Sequence, residues 1–330
     1  MILLTKAVLV MMLSLILSIC VGFILLPILR KLKAGQRLST YLEERHKNKQ
    51  GTPTMGGLIF IIPTLFCMLF MVLFNKIKFN DTILIVILTF IFYSLIGFID
   101  DFLIIKRHNN AGLSENSKFF MQVVIAVIFF YLFMRSGNEP LLWVHTLGIK
   151  VDIGWFYGLF ILLVLVSSSN AVNITDGLDG LAGSLSFIAF LTLGIISYNT
   201  GWLEGYEEIA LFCFSLCGSL IGFLMFNLNP AKVFMGDTGS LALGATMGGI
   251  AILTRHEVLL ILIGIVFVIE TLTCLIQRFY YKLTHKRLFS ITPIHHAFEY
   301  KGYSERSIVK IFCLVGVLAS MLAIIFGVIL

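Results

Sequence analysis

The sequence predicts an all-α, polytopic integral membrane protein with about ten transmembrane helices in a single domain, residues 1–330. Of its residues, 58% are hydrophobic and only 13% are charged, which is about half the charged fraction of a soluble protein. The apolar residues also occur in runs long enough to cross a bilayer as helices. This composition excludes a soluble globular protein.

Ten apolar runs predict the helices in chain order. The first run, Ala7–Leu29, is too long for the apolar part of a signal peptide and lacks a small-residue cleavage site, so we expect it to be retained. No stretch between the runs is long enough to form a separate soluble domain. The predicted spans are 7–29, 57–74, 82–99, 119–134, 153–169, 183–198, 209–226, 238–253, 258–281 and 308–330.

Basic residues are distributed unevenly between the two sides of the predicted bundle. Eighteen of the 24 Lys and Arg residues lie on the side of the loop that follows the first span. Because basic loops stay in the cytoplasm, we predict that this side is cytoplasmic and that both termini face outward. The same bias, acting on anionic lipid, accounts for the net charge of +6 and gives no indication of a nucleic-acid partner.

The unusual polar clusters all fall in the predicted cytoplasmic loops, whereas the outer loops carry only scattered charges. In chain order the clusters are KQGTPTMGG (Lys49–Gly57), FIDD (Phe98–Asp101), NAVNITDGLDG (Asn170–Gly180), NLNPAKVFMGDTGS (Asn227–Ser240) and TPIHHAFEYKG (Thr292–Gly302). We therefore expect an active-site cleft on the cytoplasmic face.

Several of these residues also have local structural explanations. Asp100 and Asp101 could mark a solvated helix end, but on a helix their side chains diverge by about 100°, so one could face a site while the other supports it. Asp237 could cap the eighth span. Glu270, inside the ninth span, fits a functional group or a buried hydrogen bond equally well.

The third motif has a strict spacing of three between four polar residues, Asn170, Asn173, Asp176 and Asp179. The offset between residues three apart accumulates, so Asn170 and Asp179 would point in opposite directions on one straight α-helix. If all four line one cleft, the helix must end or tighten where glycine permits a turn. We predict a break near Gly177 and Gly180.

Five aspartates crowd the predicted cytoplasmic face, namely Asp100, Asp101, Asp176, Asp179 and Asp237. Carboxylates this close cannot all stay ionised without a counter-charge. Mg²⁺ commonly bridges carboxylates and substrate phosphates, and no set of Cys or His residues favours zinc. The basic residues that could neutralise phosphates are Lys49, Lys106, Arg107 and Lys118. The residues therefore indicate Mg²⁺-assisted phosphoryl chemistry at a membrane surface.

Together and in this order, the five motifs resemble those of the polyprenyl-phosphate N-acetylhexosamine-1-phosphate transferases, the glycosyltransferase 4 superfamily. GTPTMGG and PIHHAFE are most similar to the members that use UDP-N-acetylmuramoyl-pentapeptide. The resemblance implies transfer of phospho-N-acetylmuramoyl-pentapeptide to undecaprenyl phosphate, with release of UMP and formation of lipid I for peptidoglycan synthesis. It also implies a homodimer in the bacterial inner membrane, with ten transmembrane helices, a bent ninth span and a cytoplasmic active site.

The resemblance also assigns roles within the motifs. The implied catalytic residues are Asp100, Asp101, Asp237 and His295. The implied substrate-binding residues are Lys49, Asn170, Asn173, Asp176, Gly177, Asp179, Phe234 and His296. Asp237 would bind Mg²⁺, Asp100 would deprotonate the lipid phosphate and Phe234 would stack on uracil. Where the family usually has a third histidine this chain has Ala297, which puts in doubt any mechanism that needs all three.

Other functions predict different features. A transporter or flippase would carry acidic groups within its spans, where the sequence has only Glu270. A CDP-alcohol phosphotransferase is excluded, because DGLDGLAG lacks the Ala-Arg step and the later aspartates of that signature. A sister enzyme that uses UDP-N-acetylglucosamine stays open, as does a covalent aspartyl-phosphate intermediate. We favour direct attack, because a lipid phosphate is already a nucleophile.

Overall fold

Helices account for most of the computed structural model, which describes residues 2–32, 49, 51–107, 112–144, 148–200 and 205–329. The helices are α1 (Ile2–Lys31), α2 (Leu58–Leu73), α3 (Asp81–Arg107), α4 (Glu115–Arg135), α5 (Phe156–Thr175), α6 (Leu181–Asn199), α7 (Tyr206–Asn227), α8 (Gly236–Leu253), α9 (Leu259–Ile263), α10 (Ile265–Thr284), α11 (Ile294–Tyr300) and α12 (Glu305–Ile324), followed by a π-helical turn, Ile325–Ile329. Several basic residues of the first predicted cytoplasmic loop lie in 33–48, outside the described residues.

One antiparallel hairpin corrects the prediction of a purely helical chain. Strand β1 (Leu141–Val144) pairs with β2 (Ile149–Asp152), and Leu141 lies opposite Asp152 in the register. The hairpin connects α4 to α5. Its four-residue strands carry too little apolar alternation to stand out beside the long apolar runs on either side.

Seven of the described helices are long and apolar enough to cross a membrane: Leu4–Lys31, Asp81–Arg107, Glu115–Arg135, Phe156–Thr175, Leu181–Asn199, Tyr206–Asn227 and Glu305–Val328. Helix α2 is apolar but has only 16 residues. The ninth predicted span, 258–281, consists of α9 and α10, which meet at the non-helical Gly264. Length and composition of the described helices therefore support seven crossings directly, rather than the ten predicted.

Helix α3 extends further than the sequence suggested. The predicted span ended at residue 99, but the helix continues to Arg107, and Asp100 and Asp101 lie inside it with 2% and 4% of their surface exposed. The apolar residues Phe102–Ile105 carry the helix past the two acids. Both aspartates are therefore buried helix residues and do not mark a solvated helix end.

Helix α8 lies at the centre of the bundle, with every residue from 238 to 253 buried. Its first turn packs so closely on α3 that a Cβ added at Gly97 would lie 2.0 Å from the carbonyl oxygen of Asp237. The outer helices expose their apolar side chains instead, as at Phe23 of α1, which is 67% exposed. This arrangement is typical of a helical bundle that faces lipid.

A buried polar cluster attaches the hairpin to the bundle, at the end opposite the five motifs. The Arg255 guanidinium donates to the carbonyl oxygens of Leu141 (3.0 Å) and Glu139 (2.8 Å). The hydroxyl of Tyr157 donates to Oε1 of Glu257 at 2.5 Å. Burial, only partly opposed by the Tyr157 hydrogen bond and Arg255, raises the pKa of Glu257 to about 7.

Titration of Glu257 predicts a pH dependence of stability. Because its folded-state pKa is raised from 4.5 to about 7, the unfolded chain ionises first as the pH rises. The contribution of Glu257 to stability is therefore fully present below about pH 4.5 and is lost, by on the order of 3 kcal/mol, as the pH rises to about 7. Glu257→Gln keeps an oxygen that accepts from Tyr157 but cannot ionise. Between these pH values, the unfolding temperature of this variant in detergent should therefore fall less than that of the unsubstituted protein.

The matched control for this prediction is Glu139→Gln, the same substitution at an exposed side chain beside the hairpin. Its backbone carbonyl still accepts from Arg255, so its pH profile should follow the unsubstituted protein. Equal pH slopes for Glu257→Gln and the unsubstituted protein would contradict the prediction.

Candidate active site

The first and fourth motifs pair through their backbones at the start of α8. The amide of Phe234 donates to the carbonyl oxygen of Pro53 at 2.8 Å, and the amide of Gly56 donates to the carbonyl oxygen of Phe234 at 2.8 Å. Gly57 makes the next bond, to the carbonyl of Met235 at 2.9 Å. These bonds hold the half-buried Phe234 and the first turn of α8 against the loop that precedes α2.

Asp101 caps α8 from the neighbouring helix α3. Its Oδ2 accepts from the backbone amide of Thr238 (3.0 Å) and from the Thr238 hydroxyl (2.6 Å), and its Oδ1 accepts from the amide of Asp237 (3.3 Å). A carboxylate at a helix N-terminus satisfies free amides and interacts favourably with the helix dipole. Asp237, which the sequence offered as a possible cap, is thereby left to point elsewhere.

The side chain of Asp237 meets a lysine and an asparagine from two other helices. Nζ of Lys118 lies 2.7 Å from Oδ2 of Asp237 and 3.0 Å from Oδ2 of Asp100, so one ammonium bridges two carboxylates. Nδ2 of Asn173 donates to Oδ1 of Asp237 at 2.7 Å. Asp100 also accepts from the Leu113 amide at 2.6 Å. The Asp237 side chain is 23% exposed, which makes it the accessible acid of the pair.

Negative charge exceeds positive charge in this cluster. Burial, together with the charges of Asp237, Asp101 and Asp179, raises the pKa of Asp176 to about 7. Lys118 supplies a single positive charge to the carboxylates that surround it. The arrangement favours binding of an additional cation with oxygen ligands.

A second cluster lies beside the turn that follows α5. Nζ of Lys49 contacts Oδ1 of Asp179 at 2.7 Å and Oε1 of Glu305 at 2.5 Å. Asn229 donates from Nδ2 to both carboxylates, at 3.0 Å to Asp179 and 2.9 Å to Glu305. This cluster brings together two predicted substrate-binding residues and two residues that the sequence did not single out.

The predicted helix break is confirmed. Helix α5 ends at Thr175 and α6 begins at Leu181, and the turn between them needs the left-handed backbone of Gly180, with φ of +78°. Asn170 stays on α5, is exposed, and donates to the carbonyl of Val166 in its own helix. No described contact joins it to the other polar residues of its motif, so its role in substrate binding stays a prediction.

His295 is fully buried rather than open to a substrate. Its Nδ1 lies 3.1 Å from Oε2 of Glu270, and its Nε2 faces Gly177, where an added Cβ would lie 2.3 Å away. Burial is the largest influence on the pKa of His295 and lowers it, although Glu270 acts in the opposite direction. The described contacts of His295 therefore lie with Glu270 and the turn after α5, not with Asp100 and Asp237.

The neighbouring His296 pairs locally. Its Nδ1 lies 2.7 Å from Oε2 of Glu299, three residues along the same short helix α11. Ala297, at the position of the expected third histidine, is partly buried between them. The described hydrogen bond of His296 thus lies within α11, and its role in substrate binding stays a prediction.

Comparison of the sequence with known proteins shows which family it matches. Glycosyl transferase family 4 matches residues 83–255, and a phospho-N-acetylmuramoyl-pentapeptide-transferase signature matches residues 49–61. Phospho-N-acetylmuramoyl-pentapeptide-transferases of Halalkalibacterium halodurans and Geobacillus thermodenitrificans are 42% and 41% identical over 96% of this chain and 96% of their own. That of Listeria monocytogenes is 42% identical over 91% of each chain.

The chain belongs to the phospho-N-acetylmuramoyl-pentapeptide-transferases of glycosyl transferase family 4. It is therefore a membrane-embedded transferase, as the composition and the five motifs together predicted. The matched regions contain both Lys49 and the Asp100–Asp237 cluster, which ties the family to the site described above.

Sequence reasoning missed several residues that shape the site of this transferase. Thr238, Asn229 and Glu305 each bond a predicted site residue, yet none is itself an unusual residue in its sequence context. Thr238 follows Asp237 directly, so the DTGS stretch held a usable signal for a helix start. Glu305 lies outside all five motifs, and only the packing of α12 against the turn after α5 identifies it.

Proposed function

We propose that this protein transfers phospho-N-acetylmuramoyl-pentapeptide from its UDP derivative to undecaprenyl phosphate, and so forms lipid I and UMP for peptidoglycan synthesis. An oxygen of the lipid phosphate attacks the sugar-bound phosphorus, and the bond to the UMP oxygen breaks. The observation that carries the proposal is the Asp100–Lys118–Asp237–Asn173 cluster, assembled from four helices at the motif-bearing end of the bundle.

The residues of the cluster suit separate tasks. Asp100 accepts the proton of the lipid phosphate, and Lys118 beside it neutralises charge as two phosphates approach. Asn173 orients the Asp237 carboxylate. Phe234, half-buried next to α8, provides an aromatic face for uracil. Asp101 holds α8 in place and is engaged by Thr238, which supports direct attack by the lipid phosphate over a covalent intermediate on that carboxylate.

The donor set fits Mg²⁺. The available ligands are carboxylate oxygens. Nζ of Lys118 already lies between Asp100 and Asp237, so this position favours positive charge. The described residues contain no group of three or more His, Cys, Asp or Glu arranged to hold a metal. Asp237 would therefore bind Mg²⁺ together with substrate phosphates and water, as is usual for this ion. When bound, Mg²⁺ supplies charge neutralisation for the diphosphate and the leaving UMP.

We propose that the chain crosses the bacterial inner membrane ten times as a homodimer, with both termini outside and the active site facing the cytoplasm. Contacts between motifs support a single active-site end, because Lys49 of the first motif and Asn229 of the fourth both contact Asp179 of the third. The predicted excess of Lys and Arg at that end supports its cytoplasmic position.

Purified protein with undecaprenyl phosphate and Mg²⁺ should release UMP from UDP-N-acetylmuramoyl-pentapeptide and not from UDP-N-acetylglucosamine. Release of labelled UMP, measured with each nucleotide, checks this directly. Turnover only with the acetylglucosamine nucleotide would assign the sister activity. Failure with both nucleotides would favour a transporter or flippase instead.

A further inference from the structure

Glu305, the first residue of α12, connects three separate segments of the active-site end. Its Oε1 accepts from Nζ of Lys49 at 2.5 Å and from the backbone amide of Asp179 at 2.6 Å. Its Oε2 accepts from Nδ2 of Asn229 at 2.9 Å. One carboxylate therefore links the loop before α2, the turn after α5 and the loop before α8.

Asp179 completes the enclosure of Lys49. Its Oδ1 lies 2.7 Å from Nζ, so the ammonium is held between two carboxylates, and the Lys49 side chain is only 15% exposed. Its Oδ2 accepts from Asn229 and from the Ala231 amide, both at 3.0 Å. A lysine held in this way has already lost the rotamer freedom that binding would otherwise restrict.

The charges around Lys49 balance. The Arg306 guanidinium donates to Oδ1 and to the backbone oxygen of Asn229, both at 3.0 Å, next to the two carboxylates. Lys49 and Arg306 thus offset Asp179 and Glu305. The cluster fixes the ammonium in position and adds no net charge that would repel an anionic nucleotide.

We propose that Glu305 is a positioning residue, which holds Lys49 and the Asp179 turn in place to bind the diphosphate of the nucleotide substrate. This inference rests on the proposed function, because that function supplies the diphosphate. It predicts that loss of Glu305 weakens nucleotide binding and leaves the chemical step nearly unchanged, since Glu305 contacts neither Asp100 nor Asp237 among the described hydrogen bonds and ion pairs.

A purely structural role for Glu305 at the start of α12 can be tested within the same chain. Helix α4 begins in the same way: Ser114 accepts from the Ser117 amide at 3.1 Å, as Ser304 accepts from Ser307 at 3.3 Å, and a glutamate follows each capping serine. Glu115 is exposed, so Glu115→Ala removes the same helix-dipole interaction without touching Lys49.

The experiment measures the Kd for UDP-N-acetylmuramoyl-pentapeptide by calorimetry without lipid acceptor, and KM and kcat from UMP release. Glu305→Ala should raise Kd and KM about tenfold and change kcat less than about twofold. Glu305→Gln, which keeps an oxygen acceptor, should raise Kd about threefold, and Glu115→Ala should leave it unchanged. In a Lys49→Met background, Glu305→Ala should raise Kd less than in the unsubstituted protein, because only its contact with the Asp179 turn is still lost.

Three results would overturn the proposal: an unchanged Kd in both Glu305 variants, an equal rise in Glu115→Ala, or an undiminished effect in the Lys49→Met background. If Glu305→Ala does not fold, Glu305→Gln decides the question. Absence of UMP release by the unsubstituted protein would instead contradict the proposed function.

Discussion

Replacing Asp237 by asparagine is expected to lower turnover at least about a thousandfold at every Mg²⁺ concentration. Asp237 is the accessible acid of its cluster, and Lys118 and Asn173 hold its two oxygens in fixed directions. Asparagine keeps the shape but removes the charge that would bind the cation. UMP release across a Mg²⁺ titration measures the effect, and binding of Mn²⁺ followed by electron paramagnetic resonance reports cation binding without turnover.

The matched control is Asp152→Asn, which removes an exposed carboxylate from the hairpin at the opposite end. It should leave turnover and Mn²⁺ binding unchanged. Near-normal activity of the Asp237→Asn variant would remove Asp237 as the metal ligand. The unfolding temperature of Asp237→Asn should stay close to that of the unsubstituted protein, because Asn173 can still donate to an oxygen at position 237. The unfolding temperature of Asp152→Asn should also stay close to it, because Asp152 is exposed.

The adjacent aspartates of α3 should respond differently to the same substitution. Asp101→Asn should lower the free energy of unfolding by about 2–4 kcal/mol and should lower turnover about a hundredfold. The side-chain NH₂ group of asparagine would face the Thr238 amide and hydroxyl, whose hydrogen bonds the carboxylate now accepts. Asp100→Asn should lower turnover by at least as much but cost only about 1 kcal/mol of stability, because its oxygen can still accept from Leu113. Chemical denaturation and UMP release measure the two effects.

Thr238→Val tests the mechanism assigned to Asp101. It removes the hydroxyl donor and keeps the amide, so it should reproduce part of the stability loss of Asp101→Asn and leave Asp100 unaffected. If Asp100→Asn destabilised the fold as much as Asp101→Asn, the division of roles between a supporting and a reacting carboxylate would be wrong.

Parts of this structure that depend on local chemistry could be predicted from the sequence. The break between α5 and α6 follows from the spacing of the polar residues and from Gly180, which adopts a backbone conformation that few other residues tolerate. The divergence of Asp100 and Asp101 follows from helix geometry alone. The sequence indicated that their roles differ, but it did not say which one would support the fold.

Other parts depended on how the helices pack, and the sequence was a poor guide to them. The extension of α3 beyond residue 99 buries two acids, which is stable only because Thr238 and Lys118 reach them from other helices. The ninth predicted span ends its first helix at Ile263 and resumes after Gly264, although its apolar character continues across the break.

Composition, sequence motifs and glycine chemistry were enough to predict a helical membrane transferase, the motifs proposed to form its site, and the position of the turn after α5. Composition, helix periodicity and glycine chemistry act within a few residues, so they can be read along the chain. The bridge that Lys118 makes between Asp100 and Asp237, and the contact of Glu305 with Lys49, depend on how the helices pack. Ion pairs between residues more than a hundred positions apart depend on which helix faces meet, and no local pattern specifies that.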